Sequence, residues 1–252
     1  MPEVIVIGSG TGVPSLNRAS PAILLKTKNT FVLLDSGPGT LRQLLKVNIV
    51  FSQLDLILYT HFHPDHITDL IHFLFASKYT PGFQRKTPVF IWGPPGFLEF
   101  YNKLKQAFGT WIEVSKDKIT LAEIPPGSLW AYEDIYIQPF STFHTPHSQG
   151  YCLHTEGKKI AYTGDTDFDL SLVDAVKDAD LLICEASFPA SQKVEGHLTP
   201  TLAGELARKA NVKCLLLTHF YPECDAIDIG AECRQSFTGP LYLAQDLMHI
   251  EL

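Results

Sequence analysis

Four potential metal ligands lie within six residues of this chain, in the segment His61-Phe62-His63-Pro64-Asp65-His66. The run 54–59 before this segment predicts a buried strand, because it is short and largely apolar. The residues after it have apolar positions at helical spacing, which predicts a helix to about Lys78. Pro64 supports a strand-to-helix junction, since proline disfavours helical dihedrals at the preceding residue and suits a first helical turn. The cluster is therefore predicted where a strand ends and a helix begins.

The spacing of these side chains suits two metal ions. His61 and His63 are two residues apart, so their rings project to the same side of an extended backbone. Asp65 and His66 lie past the bend and can point to a second position beside the first. Two metal ions about 3.5–4 Å apart can stabilise both the attacking and the leaving oxygen of a displacement. The alternative is a histidine-rich surface loop, but α/β proteins place their sites at strand ends.

Three further candidate ligands stand where apolar runs give way to predicted loops: His144, Asp165 and His219. One histidine after a strand is more often a structural residue, whereas three such positions together with the first cluster favour a metal site. Imidazole and carboxylate ligands without a thiolate suit Zn²⁺, with Mn²⁺ or Fe²⁺ as substitutes.

The order of the predicted elements indicates the fold class. Each half of the chain passes from hairpins to strand–helix units, and Thr199 with Pro200 predicts the start of a helix to Ala210. This order predicts an α/β fold, a duplicated four-layer αβ/βα sandwich with two mixed β-sheets between outer helices.

Composition limits the kind of protein. With 252 residues, 45% of them hydrophobic, one sizeable core is expected, and we predict a single domain over residues 1–252. The formal net charge of -7 argues against broad nucleic-acid binding. The sequence shows neither a basic leader nor a long apolar run, so we expect a soluble cytoplasmic protein that makes no membrane contact. The five cysteines form no CxxC pair, so reduced, buried thiols are expected.

The chain resembles the metallo-β-lactamase superfamily, in particular its ribonuclease Z-like branch, nearly from end to end. The motifs that carry the resemblance are the turn 8–14, Asp35, His61–His66, His144 followed by Gly150-Tyr151, Gly164-Asp165-Thr166, and Thr218-His219. This order of ligands is specific for the fold and for metal binding, but it says little about the substrate.

The resemblance implies two zinc ions per chain. One ion would be held by His61, His63 and His144, the other by Asp65, His66 and His219, and Asp165 would bridge the two together with a hydroxide. Asp35 would orient the ligand loop. His147 is a rival for His144, but the family's spacing to Gly-Tyr favours His144. His147 would then either contact substrate or be merely exposed, while His72, His154 and His249 would have no role.

Glu185 and His197 lie in segments that resemble two further motifs of the phosphodiesterase branch, Glu185-Ala186-Ser187 and His197-Leu198-Thr199. The resemblance implies that His197, oriented by Glu185, protonates the leaving oxygen, while Asp65 holds the attacking hydroxide and can take its proton. The alternative for His197 is a capping residue before a helix.

The resemblance therefore implies a zinc-dependent phosphodiesterase acting on a cyclic nucleotide, an RNA 3′ end or another small phosphodiester, in a chain that forms a homodimer. Members that process tRNA carry a protruding arm that grips the tRNA, and no such arm is apparent between His144 and Asp165. The alternatives are a hydrolase of carbon esters, thioesters or lactones on the same metals, and a non-catalytic metal-binding protein.

Overall fold

The structure is a computed structural model that describes residues 1–82 and 84–252. Its strands have these bounds: β1 (Glu3–Gly8), β2 (Ala22–Lys26), β3 (Phe31–Leu34), β4 (Leu56–Leu58), β5 (Val89–Gly93), β6 (Ile119–Glu123), β7 (Trp130–Tyr132), β8 (Ile135–Ser141), β9 (Gln149–Thr155), β10 (Lys158–Tyr162), β11 (Leu181–Glu185), β12 (Leu215–Thr218), β13 (Leu241–Leu243) and β14 (His249–Glu251). Its α-helices are α1 (Thr40–Lys46), α2 (Pro64–Ile67), α3 (Asp69–Tyr79), α4 (Phe97–Phe108), α5 (Leu170–Ala175), α6 (Pro200–Lys209) and α7 (Ile229–Arg234). Short 3-10 helices lie at Phe51–Gln53, Gly109–Ile112, Ala190–Gln192 and Pro222–Ala226.

The strands form two seven-stranded sheets that repeat one pattern. The first runs β14-β1-β2-β3-β4-β5-β6 and the second β13-β12-β11-β10-β9-β8-β7. In the first sheet the pairings from β14 to β3 are antiparallel and those from β3 to β6 are parallel. In the second, the pairings from β7 to β10 are antiparallel and those from β10 to β13 are parallel. Both sheets are mixed, and the predicted duplication is confirmed.

The sheets pack against each other and are covered by helices on their outer faces. Successive residues of β1 alternate between two apolar clusters, because side chains of a strand point to opposite faces. Val4 and Val6 belong to the cluster between the sheets, whereas Ile5 and Ile7 belong to the cluster under α1, α3 and α4. Both faces of the strand are buried, which explains the nearly continuous apolar runs in the sequence. The four-layer αβ/βα sandwich is thus confirmed.

The helix after the histidine cluster differs from its prediction. It is interrupted at Thr68 between α2 and α3. The backbone N–H of Asp69 donates to the carbonyl of Ser36, 3.0 Å away, instead of continuing the helical ladder. The Asp69 carboxylate also accepts hydrogen bonds from the backbone of Gly39 and Leu41, at the start of α1. A tertiary contact therefore replaces a local one, and it fixes the loop after β3 against the ligand segment.

Other local predictions agree with the structure more closely. Thr199 caps α6 by accepting a hydrogen bond from Leu202 N, and Pro200 is the first helical residue. All five cysteines are free thiols, and only Cys214 is not fully buried. In the described ranges, no helix combines the length and apolar character needed to span a bilayer.

Candidate metal centre

The ligand segment follows β4 at the parallel side of the first sheet. His63 is the N-cap of α2 and has extended backbone, with φ -63° and ψ 142°. Pro64 is the first helical residue and Asp65 lies in the first turn, where the helix dipole stabilises a carboxylate. The bend predicted from Pro64 is therefore present. It separates His61 and His63 from Asp65 and His66.

One candidate ligand and one residue that supports the ligands occupy strained backbone. Asp35, after β3, and His219, after β12, have positive φ values of 58° and 61°. A non-glycine residue in the left-handed region costs about 1–2 kcal/mol. Such strain persists where the surrounding structure over-determines it, which is common at functional sites.

The first group of candidate ligands brings together residues from both sheets. His61, His63, His144 and Asp165 each offer one ligand atom to a common position. His63 Nδ1 lies 3.0 Å from His144 Nε2. Asp165 Oδ2 lies 3.6 Å from His61 Nε2 and 3.5 Å from His144 Nε2. His61 is fully buried while His63 is exposed, so the group opens to solvent on one side.

The second group lies beside the first and consists of Asp65, His66 and His219. The Nε2 atoms of His66 and His219 are 3.2 Å apart, and Asp65 Oδ2 lies 3.6 Å from His219 Nε2. Asp165 faces this group with its other oxygen, Oδ1, at 3.2 Å from His66 and 3.4 Å from His219. One carboxylate thus presents a separate oxygen to each group.

The imidazoles are held in the tautomer that a metal requires. A ligand histidine must keep the ring nitrogen that faces the metal unprotonated, so its other nitrogen donates to a neighbour. Nδ1 of His66 contacts Asp35 Oδ2 at 2.8 Å, and Nδ1 of His144 contacts the Gly196 carbonyl at 2.9 Å. Nδ1 of His61 contacts Thr60 Oγ1 at 2.9 Å. In all three rings Nε2 is the nitrogen that faces the cluster and is available to a metal.

The donor set fits two divalent ions such as zinc. Ligands of a tetrahedral zinc ion with bonds of about 2.0–2.1 Å lie about 3.3 Å from one another, close to the separations in both groups. Among the described residues, the buried atoms His61 Nε2 and Asp165 Oδ1 have no hydrogen-bond partner. When both rings are neutral and carry their protons on Nδ1, the facing Nε2 atoms of His66 and His219 repel each other as lone pairs. A cation in each group resolves all three observations.

The pKa shifts of two histidines also indicate that the cluster suits a bound cation. Burial lowers the pKa of His61 well below its usual value, so the ring is neutral, as a metal ligand must be. Burial also lowers the pKa of His66, but the carboxylates of Asp165 and Asp35 outweigh it and raise that pKa well above its usual value. These buried carboxylates therefore stabilise positive charge at the centre of the cluster.

Glu185 and His197 form a hydrogen-bonded pair at the edge of the cluster. His197 Nδ1 lies 3.1 Å from Glu185 Oε1, and the His197 ring centroid is 4.6 Å from that of His144. Burial lowers the pKa of His197, but the hydrogen bond and the charge of Glu185 outweigh it, so the pKa is raised. His197 also groups with Asp165 and His219 as a possible metal ligand, although Asp165 and His219 already belong to the groups above.

Three residues of this network had no role in the sequence analysis. Thr60 links Asp35 to His61, because its hydroxyl contacts Asp35 Oδ2 at 2.9 Å as well as the His61 ring. Ser187 Oγ contacts Glu185 and lies 2.8 Å from His219 Nδ1. The Tyr162 hydroxyl donates to Asp35 Oδ2 at 2.9 Å. Thr60 directly precedes His61, and Ser187 lies in the segment that carries Glu185, so adjacency was the available signal for both.

The remaining histidines lie outside the two groups. His147 is exposed and packs its ring 6.0 Å from that of Phe62, at the rim beside the first group. His144, not His147, therefore belongs to the cluster. His72 is exposed, His154 is half-buried, and His249 pairs with Glu3 at 2.7 Å.

Comparison with known proteins finds relatives of the same fold that align over essentially the whole chain. It is 27% identical over 301 residues to the ribonuclease Z of Saccharolobus solfataricus, with all of both chains covered. The metallo-beta-lactamase fold protein YhfI from Bacillus subtilis superposes with a TM-score of 0.87 at 25% identity, covering 99% of this chain and 98% of that one. Human tRNase Z, short form, superposes with a TM-score of 0.79 at 26% identity, with 99% and 98% covered.

The family model described as the beta-lactamase superfamily domain matches residues 30–220, which include all seven candidate ligands. The full-length similarity to ribonuclease Z proteins agrees with the resemblance found in the sequence. The chain belongs to the beta-lactamase superfamily and has the fold of its metallo-β-lactamase members.

Proposed function

We propose that this chain is a di-zinc phosphodiesterase that acts on an RNA 3′ end, a cyclic nucleotide or another small phosphodiester. The observation that carries the proposal is the Glu185–His197 pair beside the ligand cluster. Alkoxides that leave from phosphodiesters need a proton, and an imidazole of raised pKa can supply it. The activated leaving groups of thioesters need less help. The ribonuclease Z and tRNase Z relatives support the same class of reaction.

In this proposal the two groups hold one ion each: His61, His63 and His144 the first, and Asp65, His66 and His219 the second, with Asp165 shared. When bound, the ions supply Lewis-acid chemistry, lowering the pKa of a water molecule and neutralising charge that develops on the phosphoryl oxygens. Mn²⁺ or Fe²⁺ would accept the same donors.

The residues of the chain position the reactants. Burial raises the pKa of Asp65, but the hydrogen bond with His219 and the charge of His66 lower it to about 2. Asp65 is therefore ionised at neutral pH and accepts a hydrogen bond from the attacking water, which it orients. As a carboxylate, Asp65 can also take the proton of that water. His197 donates its Nε2 proton to the departing oxygen, and Glu185 keeps the ring charged until then.

The substrate we propose is smaller than a precursor tRNA. The alignment with the ribonuclease Z relative spans 301 residues, whereas this chain has 252, so the relative carries segments that this chain lacks. The stretch between His144 and Asp165 is taken up by β9, β10 and short connections, which leave no room for a protruding arm. The net charge of -7 also disfavours a long polyanion.

A substrate panel with one variant tests the proposal. The panel contains a dinucleoside monophosphate, a cyclic nucleotide, bis-p-nitrophenyl phosphate, a precursor tRNA and a lactone, each assayed with zinc-loaded protein. We expect His197→Ala to slow hydrolysis of the dinucleoside monophosphate by about 10²–10⁴-fold. Its effect on bis-p-nitrophenyl phosphate should be much smaller, since nitrophenolate leaves without a proton.

The controls separate chemistry from metal binding. The zinc content of His197→Ala, measured by atomic emission, should match that of the unaltered chain, because the seven candidate ligands are intact. His72→Ala removes an exposed histidine outside the cluster and should leave every rate as it was. Equal slowing of both diesters, or loss of zinc from His197→Ala, would contradict the general-acid role. Hydrolysis of the lactone alone would contradict the proposed reaction.

A further inference from the structure

Two aromatic side chains, Phe188 and Tyr221, form a stacked pair beside the proposed general acid. Their ring centroids are 4.2 Å apart and their planes differ by 22°. The Phe188 ring lies 6.0 Å from that of His197, and the Tyr221 ring lies 6.3 Å from it. Both side chains are half-buried, so each keeps surface that faces solvent. The pair has no role in the metal cluster.

The backbone holds this pair in place. Tyr221 N donates to the carbonyl of Ser187 at 3.1 Å, which joins the two loops that carry the rings. Phe220 N donates to the carbonyl of Ser9 at 3.0 Å, and prolines follow both aromatic residues, which limits the backbone on that side. The rings therefore form a preorganised surface, which lowers the entropic cost of binding a flat ligand.

The position of His197 determines what this surface would meet. The rings that pack around His197 are those of the candidate ligands His144 and His219, and those of Phe188 and Tyr221. The group bonded to the leaving oxygen must extend away from the metal ligands, because the reacting phosphorus lies over them. It therefore extends towards Phe188 and Tyr221. If that group is a nucleoside, its base lies one ribose away from the leaving oxygen.

Charge on this side of the cluster favours a base over a further phosphate. Of the nearby basic side chains, Arg18 pairs with Asp225 at 2.7 Å and Lys193 with Asp167 at 2.8 Å. Neutralised cations and stacked rings suit a neutral aromatic group.

We propose that Phe188 and Tyr221 form a stacking surface for the nucleobase of the nucleoside that departs when the diester is cleaved. This inference rests on the proposed function, because it takes the leaving oxygen to lie at His197. It narrows the substrate to diesters with a nucleoside as the leaving group.

The kinetic test uses two dinucleoside monophosphates that each lack one base, at opposite ends. Chromatography of the products identifies which nucleoside departs. We expect the unaltered chain to prefer, in kcat/KM, the substrate that keeps the base on the departing nucleoside. Phe188→Leu and Tyr221→Leu should each reduce this preference by about 5- to 100-fold. An unchanged preference in both variants, or a preference for the base on the other nucleoside, would overturn the inference.

Two matched variants make the test specific to the rings. Tyr221→Phe keeps the ring and removes the hydroxyl, so it should keep the preference; a loss as large as that in Tyr221→Leu would overturn stacking in favour of a polar contact. Phe75→Leu replaces a surface phenylalanine of α3 that is 45% exposed and should leave the kinetics as they were. Thermal unfolding of each variant shows whether a kinetic change comes from lost stability.

A binding measurement separates the inference from the proposed function. Saturation-transfer NMR compares adenosine with ribose, using both zinc-loaded protein and protein treated with a chelator. We expect signal transfer to the base of adenosine that is lost in Phe188→Leu. If that result is found while no diester is cleaved, the proposed function fails and the stacking surface stands. If diesters are cleaved but adenosine binding is the same in Phe188→Leu, the stacking surface fails and the proposed function stands.

Discussion

Asp35→Asn is the substitution that most sharply tests how the ligand cluster is supported. The Asp35 carboxylate is fully buried, and Oδ2 accepts hydrogen bonds from Thr60 Oγ1, His66 Nδ1 and Tyr162 Oη. Oδ1 accepts from Thr60 N at 2.8 Å. An asparagine tolerates the left-handed backbone at this position, where φ is 58°. The substitution therefore keeps the shape and changes only the hydrogen-bonding pattern.

The amide of the variant can be oriented in two ways, and both weaken metal binding. With Nδ2 in the place of Oδ2, the amide donates to His66 Nδ1, which moves the ring proton to Nε2 and blocks the lone pair that faces the cluster. With the amide reversed, His66 keeps its tautomer but Nδ2 faces Thr60 N, a buried donor left without an acceptor. Leaving the buried Thr60 N–H without an acceptor costs about 1–3 kcal/mol of free energy. Zinc binding requires the second orientation, whereas the metal-free variant can adopt the first. The cost of the unpaired donor therefore opposes binding, and zinc affinity should fall by about 10–100-fold, the range expected of residues that orient ligands.

The assay is zinc competition with a chromophoric chelator, with circular dichroism to confirm the fold. Thr60→Val removes the hydroxyl that orients His61 and should weaken binding by about tenfold. Tyr162→Phe is the matched control, because its hydroxyl contacts the same oxygen of Asp35 and no ligand. It should change affinity no more than a few-fold. The reasoning is refuted if Asp35→Asn binds zinc normally, or if Tyr162→Phe weakens binding as much as Asp35→Asn does.

Three further predictions follow from the same geometry. Because Glu185 raises the pKa of His197 and a general acid must be protonated, Glu185→Gln should move the descending limb of the kcat–pH profile to lower pH, and an unmoved limb would argue against the pair. Zinc at 100 times its dissociation constant stabilises the native state by about 2.7 kcal/mol, so a chelator should lower Tm by about 5–10 °C in scanning fluorimetry. An added Cβ at Gly164, where φ is 56°, would lie 2.7 Å from Thr60 Cβ, so Gly164→Ala should lower the free energy of unfolding in urea by about 2–4 kcal/mol. At Gly157, where the φ is 75° and the space is open, the same change should cost only about 1 kcal/mol.

The fold was predictable from the sequence because its strands are buried on both faces. Apolar runs such as those of β1, β11 and β12 read as strands without tertiary information. The ends of those runs then indicated where metal ligands could lie, and Asp165 and His219 were identified in this way. β14, at His249–Glu251, was not predicted, because a three-residue strand is defined by its pairing with β1 and has no pattern of its own.

The supporting contacts were not predictable, because they join residues far apart in sequence. His144 Nδ1 contacts the Gly196 carbonyl, and Ser187 links Glu185 to His219 across two loops. Such partners are small or are backbone atoms, which carry no chemical signature in a sequence. The break at Thr68 has the same origin, since its cause is the carbonyl of Ser36 on another loop. Helix propensity depends only on neighbouring residues, so it cannot predict the effect of a hydrogen bond whose partner is more than thirty residues away.

The distribution of the candidate ligands explains why a duplicated sandwich suits this chemistry. His61, His63, Asp65 and His66 come from one half of the chain, whereas His144, Asp165 and His219 come from the other. Each proposed ion therefore joins the two sheets where their strand ends meet, so metal binding and the packing of the halves stabilise the same arrangement. Asp35, which lies in the first half of the chain, accepts a hydrogen bond from Tyr162 of the second half and orients His66. A small shift between the sheets would move all these atoms together, so the apolar cluster that fixes the sheets also sets the geometry at the proposed reaction centre.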